Sequence, residues 1–284
     1  MAAGVPHTPV FPALARGDTE AGADVAARYA AVADVVERGD ADALVLLTCD
    51  HINTFPPDQW PTFAVVVSDG VRGPSDEVPG VEAADYAVAG KLGARLHERL
   101  VAQEFDPLRS VAATVDHSVV VPLHFLNRPR VPVVPVYVNG MISPLPSAAR
   151  ARRLGHALRQ AVADLPVRRV AVVASGSFSL DVGSPRIDPD LFYGIPRPDW
   201  ASTVVRRLRA GQGGGPDPGG DAARRREDAL GALVAEASPE TIADAGSVAG
   251  ELLPWIAMAE TAAGLPLAGM DYREGEGHAF AAWG

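Results

Sequence analysis

Two hydrophobic periods alternate along the chain, and that alternation confines it to a layered α/β fold more tightly than any single residue does. Ala23–Arg38 carries Ala, Val and Tyr at helical spacing, and Ala43–Thr48 follows as a short continuous apolar run of the kind that fills a buried strand. The pair of signals recurs: Phe63–Val67 reads as a strand, Tyr86–Gln103 as a helix, Val131–Val138 as a strand, Ala149–Leu165 as a helix and Arg169–Ala174 as a strand. Elements in this order imply an α/β fold with a central mixed or mostly parallel sheet flanked by helices. Further on, helical patterns at Trp200–Ala210, Ala222–Ala237 and Pro239–Ala263 precede a short glycine-rich tail. The expectation for residues 1–284 is therefore a single α/β domain with a helical C-terminal segment. The low-complexity stretch at 211–220 reads as a flexible surface loop. It follows an Arg-rich helix and lacks both the preceding strand and the Gly-Lys-Ser/Thr ending of a phosphate-binding loop.

Composition narrows the function. Across 284 residues, 25 Lys and Arg face 35 Asp and Glu, a net charge of −10, which speaks against nonspecific nucleic-acid or anionic-membrane binding. No apolar run approaches the roughly 18–20 residues of a membrane span, and the first residues lack the basic start and apolar stretch of a secretory signal. A soluble, unprocessed, cytoplasmic protein is expected. The single cysteine, Cys49, excludes an intrachain disulfide, and Asp50 beside it disfavours a nucleophilic thiol because a neighbouring carboxylate raises thiol pKa. A chain of this size can bury a core without a structural metal, so a metal here would serve chemistry.

The seven histidines differ in what they imply. His97 and His156 lie in amphipathic helical patterns beside Arg95, Glu98 and Arg159 and read as solvated helix residues, while His278 lies in the glycine-rich tail with no obvious partner. His51 is different. With Asp50 it directly follows the Ala43–Thr48 run, at the carboxyl end of a core strand, where open α/β sheets place ligands. His7 and the Asp116-His117 pair could reach the same edge. Two imidazoles and one carboxylate on one face would leave three coordination positions open, an arrangement that lets ferrous iron take both an organic substrate and dioxygen. A serine nucleophile is disfavoured, because Gly176-Ser-Phe-Ser-Leu180 lacks the final glycine of a Gly-x-Ser-x-Gly elbow.

The segment Asp50-His51-Ile-Asn53-Thr-Phe55-Pro-Pro-Asp58-Gln-Trp-Pro61-Thr-Phe63 resembles the Asp-His-x-x-Asn-Phe…Pro-x-Phe stretch of class III extradiol ring-cleavage dioxygenases, the superfamily of the protocatechuate 4,5-dioxygenase β subunit. Here the Asn stands one place earlier. His7-Thr-Pro, Asp116-His117 with Val121-Pro-Leu-His-Phe-Leu126, Ser175-Gly176 and Glu251-Leu-Leu-Pro-Trp-Ile-Ala follow in the family's order across nearly the whole chain. The resemblance implies that His7, His51 and Glu251 hold a non-haem Fe(II). It implies that His117 is a catalytic histidine contacting substrate or dioxygen, and that Asn53, His124, Ser179 and Leu180 lie on the substrate side. The implied partners are O2 and a small aromatic substrate of catechol or aminophenol type, in a homo-oligomer with or without an additional small subunit.

One departure bears on mechanism. Family members with catechol activity usually carry Ser-Gly-Gly-x-Ser-His after this strand, the last histidine acting as base on the second hydroxyl, and here Leu180 takes its place. A missing positioned base typically costs about 10²–10⁴ in rate. Three expectations follow. The enzyme cleaves a ring whose proton leaves easily or uses Asp181, Ser179 or His124 instead; or the iron site does other oxygen chemistry on a more apolar substrate; or the chain is a non-catalytic partner subunit of a dioxygenase.

Overall fold

The structure, a computed structural model, describes residues 1–111, 114–128, 130–183, 193–210 and 221–284. The loop expected at 211–220 lies outside them. The strands are β1 (Ala2–Val5), β2 (Ala43–Thr48), β3 (Phe63–Val66), β4 (Gly70–Gly73), β5 (Ala84–Ala87), β6 (Leu108–Ser110), β7 (Val133–Val138), β8 (Val170–Ser175), β9 (Asp181–Val182), β10 (Tyr193–Gly194), β11 (Leu267–Asp271) and β12 (Phe280–Trp283). The helices are α1 (Phe11–Arg16), α2 (Glu20–Arg38), α3 (Gly90–Val101), α4 (His117–Leu126), α5 (Ala148–Ala163), α6 (Pro198–Arg209), α7 (Asp221–Glu236), α8 (Pro239–Ala245) and α9 (Leu252–Thr261).

An eight-stranded sheet forms the centre, in the order β11-β12-β1-β8-β2-β7-β3-β6. Its middle is parallel, β1 with β8, β8 with β2 and β2 with β7, and antiparallel pairings at β3–β7, β1–β12 and β11–β12 make the whole sheet mixed. Every residue of β2 and β7 is buried, as their continuous apolar runs require of strands covered on both faces. One face packs against α3, α5, α6, α7 and α9 around Leu96, Leu154, Val204, Leu233 and Trp255. The other packs against α2 and α4 around Tyr29, Val32, Val119 and Leu123. Helix starts follow local chemistry: Thr19, Ser147 and Ser238 each accept a backbone N–H from the first turn of α2, α5 and α8.

Three expectations need correction. The helix anticipated over Tyr86–Gln103 begins only at Gly90, because Ala84–Ala87 pairs antiparallel with β4, Val71 opposite Tyr86. That distant partner is invisible to local periodicity. The helix anticipated over Pro239–Ala263 breaks at Gly246, whose φ is +136° and where a Cβ would stand 2.1 Å from the Leu180 carbonyl oxygen. A 3₁₀ turn, Ala249–Glu251, then leads into α9, and this break delivers Glu251 to the sheet end. The glycine-rich tail is not a loose end either, since β12 pairs with β1 and Ala279–Trp283 is buried.

Candidate metal centre

The carboxyl ends of the parallel strands converge. β1 leads through Pro6 to His7, β2 through Cys49 and Asp50 to His51, and β8 ends on Ser175. Glu251 arrives from the opposite direction on the 3₁₀ turn. Its carboxylate oxygen Oε1 lies 3.0 Å from His7 Nε2 and 3.0 Å from His51 Nε2. Glu251 and His7 are buried, and the His51 side chain is 13% exposed. The far oxygen of Glu251, Oε2, accepts the Ser177 backbone N–H at 2.6 Å. Gly176 makes that approach possible: its φ is +145°, and a Cβ there would stand 2.5 Å from the Glu251 Cβ. Trp255 on α9 donates its indole N–H to the Gly176 carbonyl at 3.1 Å, and its ring fills the space beside Gly4.

Each imidazole is fixed from behind. Ser175 Oγ donates to the Ser118 carbonyl at 3.0 Å and so accepts from His7 Nδ1 at 3.1 Å. Asp116 Oδ2 accepts the His51 backbone N–H at 2.9 Å and faces His51 Nδ1 at 3.3 Å. Asp116 Oδ1 caps α4, accepting the Ser118 N–H at 3.1 Å and its hydroxyl at 2.6 Å. With both Nδ1 atoms so engaged, both Nε2 lone pairs point at one carboxylate oxygen, which only a proton or a cation between them can bridge.

Electrostatics follow from burial and proximity. Desolvation lowers the His7 pKa, with Glu251 opposing it. Burial works against protonation of His51 too, but the Cys49 sulfur and the Asp116 and Glu251 groups outweigh it and hold His51 well above its usual value. Burial would raise Glu251, yet the two histidines more than offset it and keep the carboxylate well below the ordinary range. Cys49, completely buried, is pushed up to about 12, mainly by desolvation, which fits a thiol that is not a nucleophile. The ligand atoms of His7, Cys49, His51 and Glu251 all lie within 4.8 Å of one another, a group that could hold a metal ion. Its nitrogen, sulfur and carboxylate donors suit a transition metal rather than calcium or magnesium, which take oxygen.

His117 opens α4 beside this centre, its ring centroid 4.3 Å from that of His51 and 5.4 Å from that of His7. Asp76 orients it: Oδ1 accepts the His117 backbone N–H at 2.9 Å and Oδ2 accepts from Nδ1. Sequence reading missed Asp76, since nothing local ties it to a histidine 41 residues on.

The remaining expected site residues are scattered. Asn53 is exposed and donates to the His51 carbonyl at 3.1 Å, in a loop shaped by Asp50, whose carboxylate accepts the N–H groups of Asn53, Thr54 and Phe55. Ser179 is buried with its hydroxyl committed, donating to the Ala245 carbonyl and accepting the Arg197 N–H, both at 2.9 Å. Asp181 accepts the Ser247 N–H at 2.6 Å. Leu180 is half-buried, its carbonyl accepting from Val248. His124 lies seven residues after His117 on α4, a rise of about 10 Å. It lines a separate cleft of about 600 Å³ with Tyr86, Asn127, Arg128 and Arg130. His278, without an evident partner in the sequence, packs between Phe11 and Phe280, with ring centroids 5.7 Å from each. Its neighbour Gly277 accepts N–H groups from Phe178 and Ser179, which sets the C-terminal hairpin against the loop carrying Leu180.

A family model described as the catalytic LigB subunit of aromatic ring-opening dioxygenase matches residues 1–215. A 2,3-dihydroxyphenylpropionate/2,3-dihydroxicinnamic acid 1,2-dioxygenase of Paraburkholderia xenovorans is 33% identical over 170 residues, 59% of this chain and 51% of that protein. A protein of the same name from Klebsiella pneumoniae is 33% identical over 142 residues, 49% of this chain and 44% of that one. The chain thus matches about half the length of these curated relatives. An uncharacterized protein of Escherichia coli K12, known as a crystal structure, shares the fold with a TM-score of 0.53 at 17% identity, over 88% of this chain and 90% of that one. Among the described residues, no helix is long and apolar enough to cross a membrane.

Proposed function

The chain belongs to the family of the catalytic LigB subunit of aromatic ring-opening dioxygenases, and on that premise we propose that it is a non-haem Fe(II)-dependent dioxygenase performing extradiol cleavage of a catechol- or aminophenol-type ring. The observation that carries this reading is the convergence of His7 and His51 Nε2 on one oxygen of Glu251, each at 3.0 Å. Two imidazoles and a carboxylate on one face leave three positions of a six-coordinate ion for other ligands. When bound, Fe(II) supplies the Lewis acidity that lowers a phenolic pKa and the electron exchange that brings an aromatic diol and O2 into reaction.

The chain's own groups do the rest. Glu251 holds a negative charge in a buried place, balancing the cation. Ser175 and Asp116 keep both ligand imidazoles presenting Nε2. His117, with Nδ1 committed to Asp76, has Nε2 as the ring atom free to exchange a proton with a substrate oxygen. In the reaction the ring carbon–carbon bond next to the two heteroatoms breaks, and both atoms of O2 enter the product. Leu180 contributes apolar surface where the family's usual base stands, so the favoured substrate is one whose second proton leaves without help. Relatives whose names specify 2,3-dihydroxy aromatic acids supply the substrate class, an aromatic ring with adjacent hydroxyls.

Anaerobic loading with Fe(II), metal analysis, and oxygen-electrode assays against catechols, aminophenols and hydroxylated aromatic acids test this reading. Oxygen uptake with a new visible chromophore is expected. Iron-loaded protein that consumes no oxygen with any of them would overturn it. A second reading, other oxygen chemistry on a more apolar substrate or service beside a catalytic partner subunit, is favoured by Leu180 alone.

A further inference from the structure

The cleft that His124 lines lies at the opposite edge of the sheet from the metal centre. It includes Val133, the first residue of β7, and β7 runs parallel to β2, whose far end delivers His51. α4 spans the two edges, from His117 beside the metal centre to His124 in the cleft. The facing side is β5, which contributes Tyr86. A volume of about 600 Å³ is the size of a small-molecule site. Asn127, at the end of α4, clasps Val131: its Nδ2 donates to the Val131 carbonyl and its Oδ1 accepts the Val131 N–H, both at 2.9 Å. Arg130, whose own N–H reaches the Asn127 carbonyl at 3.0 Å, is held there at φ +54°, left-handed backbone that favours glycine.

The polar groups of the cleft differ in what they already hold. Arg128 is paired with Asp34 and Glu37, and Asp85 with Arg72. Among the described residues, the Arg130 guanidinium makes no ion pair, and the Tyr86 hydroxyl and the His124 ring make no hydrogen bond. Burial raises the Tyr86 pKa, and burial with the nearby Arg16 lowers that of His124, so both are neutral hydrogen-bonding groups at pH 7. Arg130 is thus one unbalanced positive charge beside two idle neutral donors, over apolar surface from Leu123, Val131 and Val133. We propose that this cleft is a second, non-catalytic binding site for a small organic monocarboxylate with an apolar ring or chain. Arg130 takes the carboxylate with its fork of N–H donors, Tyr86 and His124 supply further hydrogen bonds, and the apolar body covers Leu123, Val131 and Val133. Inorganic phosphate would leave that apolar surface bare, and a neutral hydrocarbon would leave Arg130 unpaired. The proposal is independent of the chemistry at the metal centre.

The test is calorimetric titration of the full chain with 3-phenylpropionate, which has the carboxylate and the apolar ring but no ring hydroxyls to chelate a metal. Its neutral counterpart 3-phenyl-1-propanol and inorganic phosphate are titrated in parallel. The variants are Arg130→Gln, Tyr86→Phe and, as a control away from the cleft, Arg95→Gln, each checked for folding by circular dichroism. Wild type and Arg95→Gln are expected to bind 3-phenylpropionate alike, and both comparison ligands about tenfold or more weaker. Arg130→Gln should weaken 3-phenylpropionate by about tenfold or more, the worth of a charge-assisted contact, and Tyr86→Phe by a smaller factor. No binding to the wild type, equal binding of the alcohol or of phosphate, or 3-phenylpropionate bound undiminished by both Arg130→Gln and Tyr86→Phe, as by a molecule seated at the metal centre, overturns the proposal. None of these outcomes touches the metal-centre reading, which iron analysis tests separately.

Discussion

Replacing Asp76 by Asn changes the groups around His117 with almost no change of shape. His117 presents two N–H donors to Asp76, the backbone N–H to Oδ1 at 2.9 Å and ring Nδ1 to Oδ2. A carboxylate accepts both. An asparagine side chain has one acceptor and one donor group, so one contact must fail. If its amide oxygen turns to the ring, the backbone N–H faces an NH2 group, at a cost of about 1–3 kcal/mol for an unsatisfied donor. The side chain of Asp76 is 21% exposed, which places the cost at the low end of that range. If the oxygen stays with the backbone, the NH2 faces Nδ1 and the ring moves to its Nε2–H tautomer, which removes the lone pair from the side facing the metal centre. The second outcome keeps the helix start intact and should dominate. Loss of a correctly poised proton-transfer group then lowers kcat by about 10²–10⁴. The KM for the diol and the metal content should barely move, because Asp76 acts on His117 and not on the metal donors. Steady-state oxygen uptake with metal analysis gives kcat and KM, and imidazole ¹⁵N shifts report the tautomer. A variant with wild-type kcat, or one that loses kcat while His117 keeps its wild-type tautomer, would refute this reasoning.

Other substitutions probe neighbouring parts of the site. Ser175→Ala removes the acceptor behind His7 Nδ1 and should weaken Fe(II) or Co(II) binding by about 10–100-fold in a metal titration; unchanged affinity would show that the serine does not orient the ligand. Leu180→His restores a base where the family usually carries one, and should raise turnover of simple catechols by about 10² or more; no gain would mean the pocket differs by more than this residue. His278, whose pKa burial pulls from 6.5 to about 4, stabilises the fold fully above pH 6.5 and loses that contribution as pH falls toward 4, because the unfolded chain binds the proton first. His278→Phe, packed between Phe11 and Phe280, should therefore lose up to about 3 kcal/mol less than wild type between pH 7 and pH 4 in denaturant titrations, and parallel pH profiles would contradict the assignment.

The sequence was legible where one element carries its own signal. Ala43–Thr48 is a strand at its expected limits, since a fully apolar hexapeptide buried on both faces needs no information from elsewhere. His51 after it, and His7 after β1 two strands over, stand where strand ends predict. Illegible were features made by distant pairings. Tyr86 follows a helical pattern but finds a strand partner in Val71. Gly246 breaks a helix because the Leu180 carbonyl passes beside it. The chain from Gly277 to Trp283 reads as loose tail yet carries β12, inserted in the sheet between β1 and β11, and packs His278 beside the Leu180 loop. The groups behind the ligands are of the same kind. Ser175, Asp116 and Asp76 each meet their histidine across 41 to 168 residues, and short polar residues carry no local mark of such a role.

The most direct measurement is an anaerobic Fe(II) titration of the wild type and Glu251→Ala, with iron counted per folded chain. One tightly held Fe(II) per wild-type chain and none retained by the variant, with both folded by circular dichroism, is the predicted result. Equal iron in the two proteins would contradict a centre built from His7, His51 and Glu251.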